Sequence, residues 1–148
     1  MIFRGIEKSD IEPCALLFMR VFSSTPWSEG WSAEAAFERL NHFYQSKGFV
    51  GVLAETDDVV GFSLGNIEPF FFGSMFYLRE MCTEASLQNQ GVGRRILCTL
   101  EKELNSSSVK SIYLTTERSI PAANFYQNNG FTYSEKMGFY TKSGLLSQ

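Results

Sequence analysis

The sequence predicts an α/β layered fold, and three observations carry the prediction. Strand-like and helix-like segments follow one another in the order β-α-α-β-β-β-α-β-α-β, a pattern of mixed layers. A glycine-rich turn, Gly91-Val92-Gly93, leads from an apolar run into a helix whose Val92, Ile96, Leu100 and Leu104 share one face. With 148 residues, 15% of them aromatic, the chain is long enough to bury one proper core, so a single domain over 1–148 is expected.

The elements follow in order. Residues 1–6 read as a first strand. Ser9-Asp10-Ile11-Glu12 has the form of a capping box, with Ser9 as cap, opening a helix to about Phe22. A polar connection containing Trp27 and Trp31 comes next, and Ser32 caps a second helix that runs to about Lys47 and stops at Gly48. Residues 49–55 and 59–66 form a hairpin around Thr56-Asp57-Asp58. Residues 67–74 read as an apolar loop and 75–83 as the next strand. The helix after the glycines continues to about Asn105, residues 106–108 turn the chain, and 109–116 make another strand. Pro121 suits a first helical turn, Gly130 suits a left-handed cap at that helix's end, and 131–142 give terminal strand structure.

Composition narrows the function. A net charge of −3 offers no electrostatic footprint for nucleic acid or an anionic membrane, so neither is expected as a partner. Cys14, Cys82 and Cys98 are odd in number and lack metal-ligand spacing, and there is one His; reduced thiols and no metal site are expected. No apolar stretch is long enough to span a bilayer and no signal peptide precedes the first strand, which points to a cytoplasmic protein.

Gln88-Asn89-Gln90-Gly91-Val92-Gly93-Arg94-Arg95 is the most informative stretch. A glycine-rich turn that opens a helix presents unpaired N–H groups and the positive end of the helix dipole, a ready site for a phosphate. It is not a P-loop, since G-x-x-x-x-G-K-[ST] is absent. A dinucleotide fingerprint is disfavoured too, because Ile96 stands at its third glycine and the motif lies in the second half of the chain. The remaining pattern, Q-x-x-G-x-G leading into a helix, resembles the acetyl-CoA loop of the GNAT superfamily of N-acetyltransferases. One strand later, Pro121-Ala122-Ala123-Asn124-Phe125-Tyr126-Gln127-Asn128-Asn129-Gly130-Phe131 is similar to that family's A-x-x-F-Y-x-x-x-G-F segment.

The resemblance implies a three-layer fold with a mixed central sheet, splayed between the fourth and fifth strands and flanked by helices, and acetyl-CoA as cofactor. It assigns cofactor binding to Gln88, Asn89, Gln90, Gly91, Val92, Gly93 and Arg94, and to Met81, Cys82 and Thr83 on the preceding strand through main-chain groups. Gln90 stands where family members often carry Lys or Arg. Met81 takes the place of the N–H that polarises the thioester carbonyl, a backbone donor aimed at developing oxyanion charge. Asn124 and Tyr126 are implied to bind the cofactor as well. Tyr126 is the candidate acid, since a phenol of pKa about 10 is protonated at neutral pH.

A free alkylamine is neutral in only about one molecule in a few thousand at pH 7, so its proton needs a route. Glu80, beside Met81, serves as base through water, attracts a cationic amine, or is a structural ion-pair partner of Arg79 or a distant basic residue. Cys82 has no His or Lys adjacent in sequence to lower its pKa, which favours direct attack over a covalent intermediate. On the acceptor side, Trp27, Trp31 and Phe71, with Glu29, Glu68 and Glu80, form an apolar pocket with an acidic floor; alternatively the Trp pair anchors its loop and Phe70-Phe71-Phe72 packs a hairpin or a homodimer. The P-W-x-x-x-W stretch from Pro26 to Trp31 resembles GNAT members grouped with aminoglycoside 6'-N-acetyltransferases. The expected activity is acetyl transfer to a small-molecule primary amine. A protein or peptide acetyltransferase and a non-catalytic acyl-CoA-binding module are the competing readings.

Overall fold

A computed structural model describes residues 1–145; residues 146–148, the end of the predicted 1–148 domain, lie outside the described residues. The chain divides into two compact units, residues 1–114 and 115–148. The first unit is built on a five-stranded sheet in the order β1-β2-β3-β4-β5. β1 (Ile2–Gly5), β2 (Phe49–Glu55), β3 (Val59–Phe70) and β4 (Gly73–Thr83) are antiparallel neighbours, and β5 (Val109–Tyr113) joins β4 in parallel. A parallel pair needs a crossover, supplied here by α3 (Val92–Asn105). The sheet is therefore mixed, as expected.

The chain leaves β1 through a 3-10 turn, Lys8–Asp10, and enters α1 (Ile11–Phe22). The predicted Ser9–Glu12 capping box is not what opens this helix. The capping box present belongs to the 3-10 turn before it: Asp10 Oδ2 accepts the Glu7 N–H at 2.7 Å while the Asp10 N–H donates to the Glu7 carbonyl at 2.9 Å, and Asp10 stands at the N-cap of α1 without a side-chain bond into that helix. Arg4 explains the choice. Its guanidinium donates to both Asp10 oxygens at 2.8 and 2.9 Å and to both Glu55 oxygens at 2.8 and 3.1 Å. A charged acceptor held by an arginine outcompetes a serine hydroxyl. Ser32, by contrast, caps α2 (Ala33–Gln45) as predicted, its Oγ accepting the Ala35 N–H at 3.0 Å.

Alternation along the strands divides the core. Leu53, Phe62, Leu64 and Cys82 are buried in one cluster with Ile11, Cys14, Leu17 and Phe18 of α1 and with Ala36, Leu40 and Phe43 of α2. Ile96, Leu97, Leu100 and Leu104 of α3 are also buried, and that helix packs on β2 and β3. The apolar stripe read from the sequence is the face that does so.

Residues 67–74 are not the expected loop: β3 runs on to Phe70, β4 starts at Gly73, and Phe70 pairs with Gly73 across a tight turn. Because the apolar side chains there can stack across paired strands, the ladder continues where composition alone suggested a break. Between Leu64 and Gly65 the register slips: Leu64 faces Glu80 but Gly65 faces Leu78. Arg79 is thus an extra residue in β4, a β-bulge. A Cβ on Gly65 would lie 1.9 Å from the Tyr77 carbonyl oxygen, so no other residue fits at this crossing.

β4 and β5 are paired from Ser74 to Tyr77 and no further. β5 ends at Tyr113, short of the predicted Thr116, while β4 continues to Thr83. The sheet splays at this point, as the family resemblance implied.

In the second unit, α4 spans Pro121–Asn128 with Pro121 at its first position. Gly130 follows at φ +91°, and the Phe131 N–H donates to the Tyr126 carbonyl at 3.0 Å, the cap the sequence indicated. The predicted terminal strand is absent: residues 131–142 hold no strand. The β-prone residues there set a propensity, but a strand exists only with a partner edge.

Candidate active site

The loop before α3 is shaped by two left-handed residues, Asn89 at φ +63° and Gly91 at φ +84°. Two glutamines stitch it. Gln88 Nε2 donates to the Thr83 carbonyl at 3.1 Å, and Gln90 Nε2 donates to the Ser86 carbonyl at 2.8 Å. Residues 88–91 are exposed, Val92 is buried and anchors the helix, and a Cβ built on Gly91 meets nothing within 4 Å. The first-turn amides of α3 thus face open space. Arg95 lies over the Phe3 ring at 4.1 Å, while Arg94 is exposed.

The backbone of β4 can be oriented from one bond. The Glu84 N–H donates to the Val60 carbonyl at 2.8 Å, so residues 84 and 82 address β3. Strand alternation turns the main-chain groups of Thr83 and Met81 the other way. Gln88 taking the Thr83 carbonyl agrees. Met81 therefore presents its N–H on the edge that β5 has already left.

Glu80 is 14% exposed at its side chain, and its Oε2 accepts from Arg39 Nε at 2.5 Å. Burial pushes this carboxyl up from the ordinary value, and Arg39 opposes that shift. Of the sequence alternatives, the ion pair is present, and the partner is the distant Arg39 rather than Arg79. Arg39 escaped the sequence reading. It sits three residues after Ala36 and four before Phe43, exposed at the border of the buried stripe of α2, and a charge spaced in step with an apolar stripe is the signal that could have found it.

Cys82 is buried, and burial raises its thiol well above the ordinary value, which works against a nucleophilic thiolate. Trp27 meets Phe22 edge-on at 5.0 Å and Trp31 meets Phe18 at 4.9 Å; both pack on the core cluster. Phe70, Phe71 and Phe72 stack on one another at the hairpin tip, with Phe71 89% exposed. Each carboxylate of the expected acidic floor already has a partner: Glu29 accepts from Trp31 Nε1 at 2.7 Å, Glu68 from the Tyr113 hydroxyl at 2.7 Å, and Glu80 from Arg39. An open groove of about 500 Å³ runs beside α2 between Trp31, Arg39, His42, Phe43 and Arg79. A hollow of about 190 Å³ lies between Arg20, Trp27, Glu84 and Gln88, beside an Arg20–Glu84 ion pair of 2.9 Å.

The first unit thus brings together Glu80, Met81, Cys82, Thr83 and residues 88–94. Asn124 and Tyr126 belong to α4 of the second unit, where Asn124 is exposed and Tyr126 is half-buried between Phe125 and Phe131.

The model of the acetyltransferase (GNAT) family matches residues 16–131. No curated protein sequence matches the chain. Solved structures share its fold at low identity. Aminoglycoside N-acetyltransferase AAC(6')-Iy in complex with CoA is 17% identical at a TM-score of 0.75, covering 95% of this chain and 93% of its own. The aminoglycoside acetyltransferase meta-AAC0020 from an uncultured soil metagenomic sample, in complex with sisomicin, is 14% identical at 0.75, covering 96% and 95%. An integron cassette protein from the mobile metagenome of V. cholerae is 18% identical at 0.79, covering 97% and 93%.

Proposed function

Because the chain belongs to the acetyltransferase (GNAT) family, it is an acetyl-CoA-dependent N-acetyltransferase, and we propose that its acceptor is the primary amine of a small molecule, served by one domain spanning 1–148. The observation that carries the proposal is the pairing of two features: a left-handed Gly91 opening α3 and an unzipped edge of β4 beginning after Tyr77. The exposed loop and the empty space at Gly91 suit a pyrophosphate. Residues 88–94 hold that group by their amides, with Arg94 adding charge. Met81 and Thr83 receive the pantetheine arm through main-chain groups turned away from β3, joined by Asn124, whereas the main chain of Cys82, expected to share this task, is spent on β3. When bound, acetyl-CoA supplies an acetyl thioester activated toward attack.

The Met81 N–H polarises the carbonyl. Glu80, with Oε2 held by Arg39, leaves Oε1 to take the amine's proton through water. Tyr126 gives its phenolic proton to the departing thiolate. Trp27, Trp31 and Phe71 border the acceptor. The sisomicin complex of a neighbour of the same fold supports a small-molecule amine. Among the described residues no helix is long and apolar enough to cross a membrane, and the three free cysteines suit a reducing, cytoplasmic compartment.

The test is thiol release from acetyl-CoA across aminoglycosides, polyamines, amino acids and peptides, with CoA binding followed by calorimetry. Gly91→Glu places bulk and negative charge at the pyrophosphate. It should lower CoA affinity by roughly a hundredfold or more, while the left-handed backbone costs the fold only about 1–2 kcal/mol. Unchanged affinity in a folded Gly91→Glu variant would remove the loop from the site.

A further inference from the structure

We propose that the groove beside Glu80 selects an amine carrying a carboxylate close by, as an α-amino acid does. The inference rests on the acetyltransferase reading and deepens it. Its origin is the β-bulge. Adjacent residues of a regular strand point to opposite faces, but the extra residue places both Arg79 and Glu80 toward α2. The Arg79 guanidinium lies 5.3 Å from the Phe43 ring, and Glu80 is paired with Arg39 of the same helix. A cation and a carboxylate thus stand side by side, matching the opposite charges that an amino acid carries two bonds apart.

Arg79 lines the groove with Trp31, Ala35, Arg39 and Phe43. Its guanidinium is laid on the Tyr77 ring at 3.9 Å, yet the protein satisfies it poorly. The carboxylate nearest it, Glu68, is 3.8 Å away and spends its short hydrogen bond on the Tyr113 hydroxyl at 2.7 Å. Arg79 Nε is buried without a hydrogen-bond partner among the described residues, which leaves the outer nitrogens of the guanidinium to meet a ligand. Arg39, in contrast, is engaged by Glu80. A planar, permanently charged fork without a short ion pair is suited to a carboxylate.

The charges around the groove decide between ligand types. Glu38 also lines it, and Glu80 lies just behind Arg39. A polycation would pass two guanidiniums, and a plain anion would meet two carboxylates. A zwitterion satisfies both signs, its ammonium toward Glu80 and its carboxylate on Arg79, while its side chain rests on Trp31 and Phe43.

The experiment uses the full-length protein and matched pairs: L-phenylalanine with 2-phenylethylamine, L-leucine with isoamylamine, and kanamycin as polycation. The carboxylate-bearing partner should show a kcat/KM at least about tenfold higher in one or both pairs. In Arg79→Ala that ratio should collapse toward one, mainly through KM, and Arg79→Lys should retain part of it. Calorimetry with N-acetyl-L-phenylalanine and N-acetyl-L-leucine should show binding that Arg79→Ala weakens. The wild-type ratios carry the test even where a variant fails to fold. Equal or better turnover of the decarboxylated amines or of kanamycin overturns the inference alone. CoA bound, but neither turnover of the amino acids nor binding of the N-acetyl products, overturns it as well. Neither CoA binding nor turnover of any amine brings down the acetyltransferase reading beneath it.

Discussion

Glu80 is pulled in two directions: burial raises its pKa and Arg39 lowers it. If its carboxylate accepts the amine's proton, kcat/KM should rise with pH as Glu80 ionises. Arg39→Ala removes only the influence that favours the charged form, so the acidic limb of the profile should move to higher pH. Activity at neutral pH should fall by roughly tenfold or more. A limb that stays in place would mean that another group titrates there. Glu80 was legible because it stands a fixed distance before Gly91. Its partner was not, since Arg39 is 41 positions away and no local pattern links them.

The bulge between β3 and β4 is held by Gly65 at the crossing with Tyr77. Gly65→Ala drives a methyl into the Tyr77 carbonyl and should destabilise the protein by about 1–3 kcal/mol or more, as overpacking does. Urea unfolding would show this as a lowered midpoint, and the surviving folded protein should lose turnover as the Arg79–Glu80 pair shifts. A midpoint unchanged from the wild type would mean the strands separate at little cost. Elements with a strong internal rhythm were readable: the stripe of α3, the Ser32 cap of α2 and the 56–58 hairpin. What escaped were features set by distant partners. Arg4 decides that Asp10 closes the turn before α1, the opposite strand decides that 67–74 pairs rather than loops, and 131–142 make no ladder despite their β-prone residues. A period-two reading has no way to register one surplus residue.

At the scale of the molecule, the mixed sheet with helices on its faces followed from element order, because a parallel β4–β5 pair demands the crossover that the stripe of α3 announces. The distribution of thiols is a whole-molecule property that the sequence could not supply. Cys98 is exposed, whereas Cys14 and Cys82 are buried, with Cys14 pushed up to about 12 by burial. A thiol reagent at pH 8 should therefore find one fast group in the folded protein and three after denaturation. Two fast groups would show that a core cysteine is reachable. In the same vein, Cys82→Ala should leave transfer intact, since the proposed route passes directly from thioester to amine.

The surplus residue in β4 behaves as a phase shift. Remove it, and Glu80 would follow Leu78 directly, still opposite Leu64 and still facing α2, but with no cation beside it on that face. The side-by-side placing of Arg79 and Glu80 is therefore written in the length of a strand as well as in its spelling. A homologous chain that keeps the glycines and the tyrosine but lacks the bulge residue between Leu78 and Glu80 would carry the cofactor loop and the carboxylate without this basic neighbour. Counting residues there would sort relatives by chemistry better than comparing their side chains.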